Sequence, residues 1–246
     1  MNADPVAQRR LLDLQALDTE LAQLEHRRRT LPELAVISDA DARLAAVGAD
    51  VVRAETGLAD LAREQRRLEG DVDQVRERSV RDQRRLQASA VPPRELESLQ
   101  HEVQTLARRQ SDLEDLVLDL MERREEAESR LAAVQAEVAR VRAAREVAAS
   151  ARDTALGQID AAVQTRSSER SALAGRIPAE LLGLYETVRA TAGGVGAAAL
   201  RQCRCEGCRL ELAGAELRAA RSAAPETVLR CDNCRRILVR TPESGL

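Results

Sequence analysis

Four cysteines near the C-terminus, Cys205-x-x-Cys208 and Cys231-x-x-Cys234, carry the clearest chemistry in this chain. Two CxxC pairs separated by 22 residues have the ligand spacing of a tetrahedral four-thiolate zinc site, each pair forming a knuckle that aims two sulfurs at one metal. A donor set of four thiolates leaves no coordination position open, so the zinc it implies is structural rather than catalytic. A redox dithiol would need a βαβ context that the surrounding sequence does not offer. A fifth cysteine, Cys203, is expected as a spare thiol on a strand approaching the first knuckle, because four ligands already saturate the ion.

The elements that must position this site read as helix almost throughout. The 246 residues include no Trp, no Phe, no Lys and a single tyrosine, Tyr185, while 32% are charged and the apolar residues are mostly Ala, Leu and Val. That mixture belongs to long helices packed along narrow seams, not to a large aromatic core. A first helix starts at Pro5 behind Asp4, with Leu14, Leu17, Leu21 and Leu24 spaced by three and four residues; Thr30-Leu31-Pro32 then interrupts it. The apolar phase restarts at Ile37. From Leu44 it runs through Val47, Val51, Ala54, Leu58, Leu61, Leu68, Val72 and Val75 in one heptad register, with Gln65 as the polar member of the seam. Ala88 to Pro93 reads as a turn. Beyond it a second heptad run places Leu96, Val103, Val117, Leu131, Val138, Ile159 and Leu173 at a positions, and Leu99, Leu106, Leu113, Leu120, Val134 and Val141 at d positions. Two long helices around a short turn are expected to fold back as an antiparallel hairpin, in preference to a parallel dimer. Arg124, Arg145, Arg152 and Arg166 fall at a positions and are expected to snorkel out of the seam.

Gly175-Arg176-Ile177-Pro178 ends the second arm, and Pro178 to Ala190 reads as a short helix. Strands are expected near Val195–Leu200, Glu226–Arg230 and Ile237–Arg240, with a turn or two of helix at Ala213–Arg221. The fold class is therefore mostly α: a long antiparallel coiled-coil hairpin (1–175, turn near 88–94), a linker helix and leading strand (176–200), and a small β zinc ribbon (201–246).

Three segments together resemble a bacterial family of coiled-coil proteins with a C-terminal four-cysteine zinc ribbon. They are the tip (Pro93-Arg94-Glu95-Leu96-Glu97-Ser98-Leu99-Gln100-His101-Glu102, followed by Ser111-Asp112-Leu113-Glu114-Asp115), the linker (Ile177-Pro178-Ala179-Glu180-Leu181-Leu182-Gly183-Leu184-Tyr185), and the ribbon (Cys205 to Cys208 through Cys231 to Leu238). The resemblance covers almost the whole chain. It implies a helical hairpin carrying a zinc-bound β-domain, and a role in nucleic-acid binding or as an adaptor for transcription, flagellar or secretion machinery. Arg235 departs from the family, which usually has Gly after the last cysteine.

The sequence points to a non-enzymatic cytoplasmic adaptor that binds a protein partner through its tip (Val91, Pro92, Pro93, Arg94 and Leu96) and uses the ribbon as a compact recognition head. Nucleic-acid binding is the alternative, with Arg204, Arg209, Arg230, Arg235 and Arg236 as phosphate contacts. Charge argues against making it the first choice. The chain carries a formal −3, and the nine arginines of residues 201–246 face six acidic residues and a zinc–tetrathiolate centre of net −2. The interleaved arginines and acids at 69–85 read as a solvated helix. His26 and His101 stand alone, without a nucleophile or metal-site companion, and no phosphate loop or catalytic carboxylate pair stands out. No small-molecule substrate is implied. No apolar run is long enough to span a membrane, and the N-terminus lacks the apolar core of a signal peptide.

Overall fold

A computed structural model describes residues 1–88 and 92–246. Helix α1 covers Pro5–Arg29, α2 Pro32–Leu86, α3 Pro93–Ala174, α4 Ala179–Thr191 and α5 Gly214–Ser222; strands β1 (Ala197–Arg201), β2 (Arg204–Cys205), β3 (Leu229–Arg230) and β4 (Ile237–Arg240) form one small sheet. Among the described residues no helix is long and apolar enough to cross a membrane. Contacts divide the chain into one unit of residues 35–149 and another of residues 1–34 with 150–246.

The first unit is the paired part of a long antiparallel helical hairpin. Rising numbers on α2 meet falling numbers on α3: Asp41 pairs with Arg145, Arg43 with Glu137, Arg76 with Glu114, and Arg85 with Glu95. Every apolar seam position expected from the heptads is buried or half-buried, and Leu68, Val72, Leu113 and Leu120 form its tightest cluster. Gln65 faces the other arm's polar interruption, accepting a 3.1 Å hydrogen bond from Arg124 Nη1. Such a polar layer costs stability relative to apolar packing but disfavours slipped registers. Arg124 and Arg145 are half-buried, and each guanidinium reaches a carboxylate, as snorkelling requires; Arg152 and Arg166, which belong to the other unit, are half-buried and paired with Asp153 and Glu20. The seam also outlasts its hydrophobic pattern. Ser79 and Asp82 keep the heptad spacing beyond Val75 and are buried, with Asp82 contacted by Arg78 and Arg85 at 3.9 Å.

In the other unit the sheet order is β2-β1-β4-β3, with β1 and β4 parallel and the outer pairs antiparallel. Strand alternation sends β1 and β4 side chains to two different cores. Ala197, Ile237 and Val239 face Ala7, Leu11 and Leu14 of α1 and Leu181 and Tyr185 of α4. Ala198, Leu200 and Leu238 face Cys205, Cys231, Leu212 and Ala220. Helix α1 therefore completes the ribbon's sheet. Asp4 caps it by accepting from the Val6 N–H at 2.6 Å, Pro5 occupies its first turn, and the residues before it run along the ribbon, where Ala3 N–H donates to Glu226 O and Val228 N–H to Met1 O.

Candidate metal centre and its surroundings

The sulfurs of Cys205, Cys208, Cys231 and Cys234 all lie within 4.8 Å of one another. Cys205 Sγ and Cys234 Sγ are 3.8 Å apart, as are Cys208 Sγ and Cys231 Sγ. Zinc–sulfur bonds of about 2.3 Å at tetrahedral angles give sulfur–sulfur edges of about 3.8 Å; two sulfur pairs already stand at that separation and all four sulfurs lie within 4.8 Å of one another. The donors fit the ion, and zinc there would act as a Lewis-acidic clamp that draws four thiolates together.

The two knuckles repeat the same backbone scheme. Cys205 N–H donates to Leu210 O at 2.9 Å and Cys231 N–H to Arg236 O at 3.0 Å; the Arg209 and Arg235 N–H groups return to Cys205 O and Cys231 O at 2.7 and 2.8 Å. Closing the loop this way requires a left-handed residue directly after the second cysteine of each knuckle. Arg209 and Arg235 both fill that position at φ 62°, a region that costs a side-chain-bearing residue energy. The departure at Arg235 therefore keeps the knuckle geometry and adds backbone strain.

Burial pushes the Cys205 and Cys231 thiols above the ordinary range, partly opposed by N–H groups of Cys208 and Gly207 in the first knuckle and of Cys234 and Asn233 in the second. At Cys234 burial acts in the same upward sense but is outweighed by the Arg236 N–H and the neighbouring thiols, which lower it. These amides are poised to stabilise thiolate charge once a dication replaces the protons.

Cys203 is not on a strand. Gln202 and Cys203 form the two-residue turn between β1 and β2, both at positive φ (48° and 58°), as a type I′ hairpin requires. The turn points Cys203 Sγ toward Gly245 O, 3.2 Å away, and outside the set of four.

The five arginines proposed as nucleic-acid contacts are placed unequally. Arg204, Arg209, Arg230 and Arg235 are exposed. Arg236 is spent internally: Nε donates to Val195 O (3.2 Å), Nη1 to Gly207 O (2.8 Å) and Nη2 to Ala192 O (2.8 Å), tying the first knuckle to the segment after α4. Gly207 is what lets Arg236 lie there, since a Cβ at that position would come within 2.7 Å of the arginine Cδ. Arg230 Nε donates to Arg235 O at 3.1 Å. Of the tip residues, Pro92 and Arg94 are exposed, Leu96 is half-buried in the seam, Pro93 opens α3, and Val91 lies outside the described residues.

A buried polar cluster stands beside the α1–α4 core. Tyr185 is fully buried; its hydroxyl donates to Asp18 Oδ2 at 2.6 Å, with Gln15 Oε1 3.1 Å away as an alternative acceptor. Asp18 also accepts from Arg170 (2.7 and 3.2 Å) and Arg189 (3.0 Å). Gln15 Oε1 takes the Gly196 N–H at 2.7 Å, and a Cβ on Gly196 would collide with the Tyr185 ring. Burial, then the hydrogen bond to Asp18, push the Tyr185 phenol above its ordinary range. Its partners Gln15 and Asp18 carry no sequence signal, being polar residues buried only by segments more than 150 residues away.

Residues 14–193 match the CT398-like coiled coil hairpin domain, and residues 204–238 match the C4-type zinc ribbon domain. The protein Rv2229c of Mycobacterium tuberculosis is 38% identical over 240 residues, covering 98% of each chain. ML1638 of Mycobacterium leprae is 30% identical over 201 residues, covering 82% of this chain and 86% of its own. A solved structure from Mycobacterium smegmatis superposes with a TM-score of 0.86 at 35% identity, covering 98% of this chain and all of that one. CT398 of Chlamydia trachomatis shares the fold at a TM-score of 0.69 and 17% identity, over 96% and 98% of the two chains.

Proposed function

Because the chain belongs to the CT398-like coiled-coil hairpin family and carries a C4-type zinc ribbon, we propose that it is a non-enzymatic adaptor that binds a protein partner in transcription or in the assembly of a larger machine. The observation that carries this reading is the closed donor set. Four clustered thiol ligands leave zinc no site for water or substrate, so the metal's role is to hold a small recognition body together. Its place is the cytoplasm, where thiols stay reduced for metal binding. The tip is assigned to partner docking through exposed Pro92 and Arg94, with Val91, Pro93 and Leu96 beside them in the sequence.

Affinity purification with the intact chain, an Arg94→Glu chain and a Cys208→Ser chain tests the proposal. A protein retained by the intact chain and lost from one variant assigns that end. Retention of nothing beyond what an unrelated coiled coil holds defeats the reading. A mobility shift of RNA or DNA at low ionic strength, abolished by substituting Arg209 and Arg235, favours the nucleic-acid alternative, for which those two equivalent, exposed knuckle positions are the best-placed contacts.

A further inference from the structure

The helical hairpin carries an apolar groove along one edge of its seam. A recess of about 490 Å³ opens between α2 and α3 on a floor of Val72, Val117 and Leu118. Leu118 is 58% exposed, and Met121, one turn further along the same flank, is 43% exposed. Neither belongs to the a/d seam, so pairing of the two arms leaves them in solvent at the cost of exposed apolar surface. Three carboxylates, Glu69, Asp73 and Glu114, rim the groove. The one guanidinium among them, Arg76, is already shared between Asp73 at 3.8 Å and Glu114 at 3.3 Å. The charge extends along the helix: residues 111–122 hold five acids and no basic residue, in a chain with 38 basic and 41 acidic side chains overall.

We infer that this groove is a docking site for a basic amphipathic helix: a partner segment with leucine-like residues at i, i+3 and i+4 and arginine or lysine flanking them. Apolar side chains of such a segment would cover Leu118, Met121 and Val117, and its cations would meet Glu69, Asp73 and Glu114. The open stretch from Glu114 to Met121 is on the order of 10 Å long, about two turns of a docked helix. The inference deepens the adaptor reading by adding a surface that does not depend on the tip or the ribbon.

The test is titration of the zinc-loaded full chain into a labelled Leu/Arg peptide with helical apolar spacing, read by fluorescence anisotropy. A peptide of the same composition in scrambled order and one with Glu in place of Arg are run alongside. The amphipathic basic peptide is expected to bind at least about tenfold more tightly than either control, and Leu118→Ser with Met121→Ser is expected to remove that preference. Both positions are solvent-exposed, so circular dichroism of the variant should match the parent. Arg94→Glu should leave binding unchanged, which separates failure of the groove from failure of the tip assignment. Equal binding of ordered and scrambled peptides, or a preference that survives the double substitution, overturns the inference. So does sedimentation showing a dimer that the same substitutions dissociate, since the occupant would then be a second copy of this chain.

Discussion

Tyr185 is the only tyrosine in a chain without tryptophan, so its ionisation can be read directly from the tyrosinate absorption band. In the folded chain the phenol is buried and donates to a carboxylate, Asp18, 2.6 Å away. Ionising it in place would set two anions in contact, with only Arg170 and Arg189 to offset them. The folded state therefore holds this proton more tightly than the unfolded chain, whose phenol titrates near 10.0. The stabilisation is complete below that pH and is lost as pH rises above it, by about 1.4 kcal/mol for each pH unit until the folded-state phenol itself ionises. Urea unfolding of the zinc-loaded chain at a series of pH values, followed by circular dichroism and by tyrosinate absorption, should show the tyrosinate band appearing together with loss of structure. Tyr185→Phe should cost about 1.5–3 kcal/mol at neutral pH, the range for a hydrogen bond to a charged partner. It should also remove the extra alkaline slope, so that the difference between the two proteins shrinks above pH 10.0. Subtracting the variant cancels contributions common to both proteins. A tyrosinate transition near 10.0 in a chain that is still folded, or an unchanged slope in Tyr185→Phe, would refute the reasoning.

Three further outcomes follow from the ribbon. Arg236→Ala should destabilise the zinc-loaded chain by about 2–4 kcal/mol in a thermal melt, because one side chain serves three carbonyls; Arg236→Lys should restore little, since a single ammonium cannot span them. Arg235→Gly should stabilise by up to about 1 kcal/mol by relieving the φ of 62° without altering zinc stoichiometry, and a lower melting temperature would count against the strain argument. Cys208→Ser should abolish stoichiometric zinc and, with it, binding energy on the order of 10 kcal/mol; amide exchange should then lose protection across β1 and β4 while Leu61–Val75 and Leu113–Leu120 stay protected.

Both the hairpin and the metal centre were legible because each repeats a spacing that physical chemistry constrains. Heptads must keep their phase for two helices to stay in contact, and CxxC must keep its two-residue gap for both sulfurs to reach one ion. What escaped was whatever lacked a period. Ser79 and Asp82 continue the α2 seam, but as polar residues they look like its end. Cys203 sits two residues before a ligand, where strand alternation suggests a shared face; the positive φ values of the I′ turn send it elsewhere. Arg236 reads as surface charge beside a knuckle, and only the folding of Ala192, Val195 and Gly207 around it makes it an internal brace.

The metal matters beyond its own loop. Residues 197 and 198 of β1, and 237, 238 and 239 of β4, alternate between the α1–α4 core and the cysteine core. Neither core can lose its ordered strands without exposing the apolar side chains the other buries on the same two backbones. Parallel pairing of β1 with β4 brings the strand before the first knuckle against the strand after the second, so the zinc clamp and the strand register are closed by one contact. The N-terminal helix, whose preceding residues Met1 and Ala3 hydrogen-bond to the ribbon backbone at Val228 and Glu226, is held by that register as well. Metal binding and α1 docking are therefore expected to be one cooperative step: on zinc withdrawal, hydrogen exchange should show amides around Leu11 and Leu14 losing protection together with those of β1 and β4, and protection kept at Leu11 and Leu14 would refute it.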